Sequence, residues 1–86
     1  MAYKKSEEFS YEITKHLCDL SEKNKGWVKQ LNTVKWNNSK EEVYDIRSWH
    51  YPDDSDTPDR MSKGISLSYE EFAILCQSAY DEGIVG

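Results

Sequence analysis

From Phe9 onward apolar and polar positions alternate. Phe9, Tyr11 and Ile13 fall on one side and Ser10, Glu12 and Thr14 on the other, the period-two pattern of a half-buried strand. Leu17 keeps that parity and Leu20 breaks it, which predicts a bulge or bend near Cys18. Ser21 to Gly26 reads as a polar turn closing on a glycine. Trp27 to Trp36 is rich in Trp, Val and Thr and holds neither Gly nor Pro, so it predicts a second strand. Its lysines and rings fall on both faces, so neither face is plainly solvent. Asn37-Asn38-Ser39 supplies turn chemistry, and Val43 to His50 is a third strand in which Tyr44 and Ile46 alternate with Asp45, Arg47 and Trp49.

His50 to Ser62 carries both prolines and the run Asp53-Asp54-Ser55-Asp56, which predicts a mobile acidic loop. Gly64-Ile65-Ser66-Leu67 is a short fourth strand. Ser68 then opens a helix with a capping box, since Glu71 follows three residues later. Phe72, Leu75, Cys76 and Ala79 make one apolar stripe at helical spacing, and Gly83 is its stop. The order is ββββα, an α+β fold of a four-stranded antiparallel sheet followed by one C-terminal helix. Residues 1–8 are polar and read as a flexible N-terminus, which leaves 9–86 as a single domain. One helix covers one face of such a sheet. An open face bearing Trp and Arg is a liability unless it binds something.

Size adds a second expectation. A lone sheet and helix within 86 residues bury a modest core, so self-association is expected. No apolar stretch approaches the length of a membrane span and no signal peptide pattern opens the chain, so no membrane is expected as partner. Cys18 and Cys76 read as reduced thiols, which fits a cytoplasmic protein.

The net charge of −5 argues against a nucleic-acid partner until its distribution is resolved. Residues 23–40 hold five lysines and no acid, residues 41–59 hold seven acids against Arg47, and residues 64–86 hold four acids and no base. Charge is segregated along the chain. On the basic stretch and the strand after it, Lys25, Trp27, Lys29, Lys35 and Trp36 interleave with Arg47 and Trp49. Positions 27, 29 and 35 share a face of their strand, and 47 and 49 a face of theirs. Rings among cations suit single strands, whose bases stack on the rings while the cations track the backbone. Duplex DNA hides its ring faces. The alternative is that the tryptophans are core, with lysine stems laid over them. Arg60, Lys63 and Gly64 form a second, weaker cluster, in which Gly64 lets a phosphate or another chain approach the backbone.

Catalysis finds little support, and no cofactor, metal or small-molecule substrate is expected. His16 and Cys18 do not converge for shared ligation. His50 reads as a solvent or edge residue. The Asp53–Asp59 loop lacks the glycine and closing glutamate of a calcium loop, so it reads as a solvated acidic loop that turns nucleic acid away from the wrong surface.

Together, Val43-Tyr44-Asp45-Ile46-Arg47 with its following aromatic, the acidic loop, Lys63-Gly64-Ile65-Ser66-Leu67 and the amphipathic helix resemble the positive cofactor four (PC4) family. Lys25-Gly26-Trp27 and Trp36-Asn37 resemble its bacterial YdbC branch. The resemblance covers Phe9 to Tyr80. It implies a homodimer whose helices meet at the subunit interface and whose curved sheets grip single strands. It implies that Arg47, Trp49 and Lys63 match contact positions, that Trp36 stands near a stacking ring, and that Lys25, Trp27, Lys29 and Lys35 border the binding channel. Eukaryotic members carry a regulatory tail before this domain that has no counterpart here, so coactivator function is not carried over. Ser62 stands where those members have another basic residue, so that contact is either missing here or supplied by Arg60. The leading expectation is therefore sequence-tolerant binding of single-stranded DNA in transcription, replication or repair. A protein-interaction module using the aromatic sheet face, and single-stranded RNA binding, remain the alternatives.

Overall fold

The computed structural model describes residues 10–85; the expectation of a flexible segment over 1–8, and the place of Phe9 on the first strand, lie outside the described residues. The strands are β1 (Tyr11–Asp19), β2 (Trp27–Trp36), β3 (Val43–His50) and β4 (Arg60–Leu67), followed by the helix α1 (Tyr69–Asp81). They form one antiparallel sheet in the order β1-β2-β3-β4. Each neighbour in sequence is a neighbour in space, as short reversals dictate.

Two of those reversals are made by residues in the left-handed region. Lys25 (φ 53°) and Gly26 (φ 88°) sit between Asn24 and Trp27, whose backbones exchange hydrogen bonds of 2.8 and 2.9 Å. Asn37 (φ 51°) and Asn38 (φ 64°) do the same before Ser39, whose N–H donates to the Trp36 carbonyl. Positive φ at both central residues is what a twisted hairpin needs. Asparagine tolerates it and glycine adopts it freely, whereas lysine at the left-handed position costs about 1–2 kcal/mol.

Register assigns the side chains to faces. The β2–β3 pairing runs unbroken from Trp27↔His50 to Val34↔Val43, so Val28, Gln30, Asn32, Val34 and Trp36 share one face with Val43, Asp45, Arg47 and Trp49. This inner face holds the buried hydrophobic residues Val28, Val34 and Trp49 and the fully buried Asn32 and Asp45. The other, helix face carries Trp27, Lys29, Leu31, Thr33 and Lys35 with Tyr44, Ile46, Ser48 and His50. Phe72 of α1 stacks on Tyr44 there, centroids 4.3 Å apart and planes 8° from parallel.

Three expectations are corrected. The fourth strand begins at Arg60, not at Gly64, because Arg60 pairs with His50 and Met61 with Trp49 before a register shift opposite Ser48. The acidic segment before it is tied down: Tyr51 N–H donates to the Gly26 carbonyl (2.8 Å), Tyr51 Oη to Gln30 Oε1 (3.0 Å), and Asp59 N–H to the His50 carbonyl (2.9 Å). It lies beside β1 over the inner face, where it borders a cleft of about 430 Å³ with His16, Asp19 and Gln30. Partial burial of its phenol raises the pKa of Tyr51. His50 is no solvent residue either; its side chain is 16 % exposed and its Nδ1 lies 2.6 Å from Asp59 Oδ1. That hydrogen bond holds the Asp59 carboxyl below its usual range.

The bend near Cys18 is present. Register shifts fall between Ile13 and Lys15 and between His16 and Cys18, so His16 pairs with Asn32 on the inner face and Cys18 with Leu31 on the other. The helix starts as its sequence requires: Ser68 Oγ accepts from the Glu71 N–H, and the Glu71 carboxylate accepts from the Ser68 N–H. Its packing is slight. No residue of α1 is buried, and Tyr69, Ile74, Leu75 and Tyr80 are exposed, as is Ile65 on the sheet beside it.

Candidate nucleic-acid interface

The candidate residues divide into two groups, because β2 alternates and because register fixes what each side meets. Trp27, His50 and Arg60 occupy one row across β2, β3 and β4. Lys29 and Ser48 form the next row, and the shift in β4 brings Ser62 and Lys63 opposite Ser48. The Ser48 N–H donates to Ser62 Oγ at 3.1 Å, which anchors this bulge. Lys25 stands at the tip of the adjoining turn. Sequence reading grouped Lys25, Trp27 and Lys29; the fold adds Arg60 and Lys63 from a segment more than thirty residues away.

The Arg60 guanidinium carbon lies 5.4 Å from the Trp27 ring centroid, within cation–π range, and His50 meets the same ring edge-on at 5.2 Å. A groove of about 480 Å³ runs beside them, lined by Ser21, Asn24, Lys25, Trp27, Lys29 and Ser48 among others. Lys25, Lys29, Arg60 and Lys63 are exposed. Among the described residues the salt bridges join His16 to Asp19, Arg47 to Asp45 and His50 to Asp59. Lys25, Lys29 and Lys63 are in none of these pairs, whereas Arg60 adjoins Asp59, whose carboxyl its charge helps to hold down, and Glu22 adds one acid to the groove lining.

The second group is on the inner face at the far end of β2. Trp36 has the Arg47 guanidinium 4.6 Å from its centroid and the Tyr11 ring at 6.0 Å. Trp36 Nε1 donates to Ser66 Oγ (3.0 Å), and Ser66 Oγ donates to Asp45 Oδ1 (2.9 Å). Lys35 follows the opposite parity and lies on the helix face across from Glu12.

Three roles expected from sequence change here. Trp49 is fully buried between Val28 and Met61 on the inner face, with Tyr11 at 5.2 Å, so it is core and offers no ring to a base. Arg47 is not a free cation: its Nε and Nη2 donate to the two oxygens of Asp45 at 2.8 Å each. Gly64 is filled by the chain itself, since a Cβ there would overlap Arg47 Cβ and the Ile46 carbonyl oxygen. The sequence carries a signal for the pairing of Asp45 with Arg47: opposite charges two apart on a strand share a face. Tyr11 and Ser66 carried no such signal, because only register brings them to Trp36.

Among the described residues no group of His, Cys, Asp and Glu converges to hold a metal ion, and no helix is long and apolar enough to cross a membrane. Cys18 and Cys76 are free and exposed.

Comparison with known proteins adds a family. The model of the family described as Transcriptional Coactivator p15 (PC4) matches residues 23–78, from the β1–β2 turn into α1. An uncharacterized protein of Treponema pallidum (strain Nichols) is 37 % identical over 70 residues, which cover 81 % of this chain and 75 % of that protein.

Proposed function

The chain belongs to the PC4 family, and from that premise we propose that it binds single-stranded DNA, with little dependence on sequence, as a homodimer serving transcription, replication or repair. The observation that carries this reading is the groove at Trp27, where Arg60 lies over the indole, the exposed Lys25 and Lys29 line the wall, and the exposed Lys63 follows in the neighbouring β4 bulge. Bases stack on the ring while the cations take the phosphates, a combination that tolerates any sequence because every base has a π-face. Trp36 supplies a second ring. Negative charge elsewhere, on the acidic loop and on α1, turns the polyanion away from those surfaces.

Anisotropy of fluorescein-labelled oligothymidine across a sodium chloride series tests the proposal. Neutralising about five phosphates gives a slope of log affinity against log salt of about −3 to −4. Trp27→Ala is expected to weaken binding by about 1–3 kcal/mol without unfolding the sheet. Equal affinity for a duplex of the same length would defeat the stacking argument. Tighter binding of oligouridine would move the function to RNA.

The dimer is supported by the helix. Ile74, Leu75 and Tyr80 are 66 %, 48 % and 61 % exposed, and Ile65, 55 % exposed, extends the patch onto β4. So much apolar surface on a small domain is stable in water when a second copy covers it. Analytical ultracentrifugation is expected to show twice the chain mass of 10.1 kDa, and Leu75→Asp to shift the protein to monomer. A wild-type monomer that still binds tightly would remove the dimer from the reading.

A further inference from the structure

Arg47 carries a positive charge in a chain read as binding a polyanion, yet that charge is already met. Its two N–H groups grip both oxygens of Asp45 at 2.8 Å, the fork geometry in which arginine binds carboxylate most strongly. Asp45 is fully buried and the Arg47 side chain is 14 % exposed, so dissolved salt screens the pair little. Arg47 Nη1 also donates to the Ser62 carbonyl at 3.3 Å, which fixes the guanidinium on its remaining side.

The same carboxylate reaches the ring. Ser66 Oγ donates to Asp45 Oδ1 and accepts from Trp36 Nε1, so one buried anion restrains both the guanidinium and the indole. The sheet dictates this convergence: Asp45 pairs with Ser66 and Arg47 with Gly64, where the missing Cβ leaves room for the arginine to lie down.

A guanidinium that is neutralised and laid against an indole gains little from a phosphate, but it keeps a flat polar face. We propose that Asp45 is a positioning residue for nucleic-acid binding: it cancels the charge of Arg47 and, through Ser66, orients Trp36, so that the two planes form a charge-neutral platform for a nucleobase. Phosphates are then left to the exposed cations at the other end of β2, Lys25, Lys29, Arg60 and Lys63. This rests on the single-stranded DNA reading above and adds a division of labour to it.

The test combines the oligothymidine salt series with the indole N–H resonances of the free protein. Asp45→Asn frees a cation, so the salt slope is expected to steepen by about 0.7, with the Trp36 indole resonance displaced. Asp45→Asn combined with Arg47→Gln removes the pair without changing net charge, so the slope is expected to match the wild type while affinity falls. Ser66→Ala keeps both charges and cuts only the tether. Its affinity is expected to fall about three- to tenfold, as for one lost hydrogen bond, with slope unchanged.

An Asp45→Asn slope equal to or shallower than wild type, or a double variant flattened by about 0.7, makes Arg47 a phosphate contact and overturns the proposal. Should Asp45→Asn fail to fold, Ser66→Ala decides alone: unchanged affinity and an unmoved Trp36 resonance refute the tether. A wild-type protein that ignores oligothymidine sinks the binding function instead, and the indole resonance of Ser66→Ala, read without DNA, still reports on the tether.

Discussion

Trp49→Ala is expected to lower the stability of the fold by about 3–5 kcal/mol, the range for emptying a large aromatic site in a core. The ring is fully buried, its neighbours across the strands are Val28 and Met61, and the other buried hydrophobic residues among those described are valines, so little can collapse into the space. Against a total of about 5–15 kcal/mol for a domain, that is a large share. Urea unfolding followed by far-ultraviolet circular dichroism measures it. Trp49→Phe gives the contrast: Trp49 Nε1 is buried and finds no hydrogen-bond partner among the described residues, so the phenyl ring removes an unsatisfied donor along with some volume. We expect that variant to lose less than about 1.5 kcal/mol. A Trp49→Ala protein that stays as stable as wild type but loses DNA binding would return this ring to the binding surface.

The second large effect is expected from the smallest change. Gly64→Ala adds one methyl group that must overlap Arg47 Cβ and the Ile46 carbonyl oxygen and lie 2.9 Å from Arg47 Nε. Arg47 Cβ and the Ile46 carbonyl are fixed by the β3 backbone, so no side-chain rotation clears them: the β3–β4 ladder must shift, and Arg47 is displaced with it. Its departure strands Asp45, a fully buried carboxylate, and removing one partner of such a pair costs about 3–5 kcal/mol. The melting temperature is expected to drop by more than about 10 °C, taking about 4–8 °C per kcal/mol for a domain of this size. A drop of a degree or two would mean that the β3–β4 ladder shifts cheaply with the Asp45–Arg47 pair kept, or that the pair contributes little.

The sequence made some of this legible and hid the rest, for reasons that particular residues display. The spans of β2 and β3 and the capping box at Ser68 and Glu71 follow from local chemistry, and the structure agrees with them. The start of β4 does not, because Arg60 and Met61 lie directly after a proline-containing acidic run and become strand only by pairing with His50 and Trp49. Trp49 could not be told from Trp27 by composition or spacing. Parity separates them, but parity places a ring inside or outside only once the register between strands is known. The charge of Arg47 counted as available for the same reason. In the sequence Asp45 is one of many acids; in the sheet it is the one beneath this guanidinium.

The strand irregularities have a further consequence. In the order β1-β2-β3-β4 the outer strands expose unpaired backbone groups that could recruit further strands and grow into fibrils. The central β2–β3 ladder is unbroken, whereas β1 is interrupted at Ile13/Lys15 and at His16/Cys18 and β4 opposite Arg47/Trp49. Each interruption bends the rim away from the flat geometry an incoming strand requires, and Lys15 and Lys63 add charge at two of them. Sheet-to-sheet growth is blunted at both rims, so a chain presenting this much apolar helix can meet another copy without seeding aggregates.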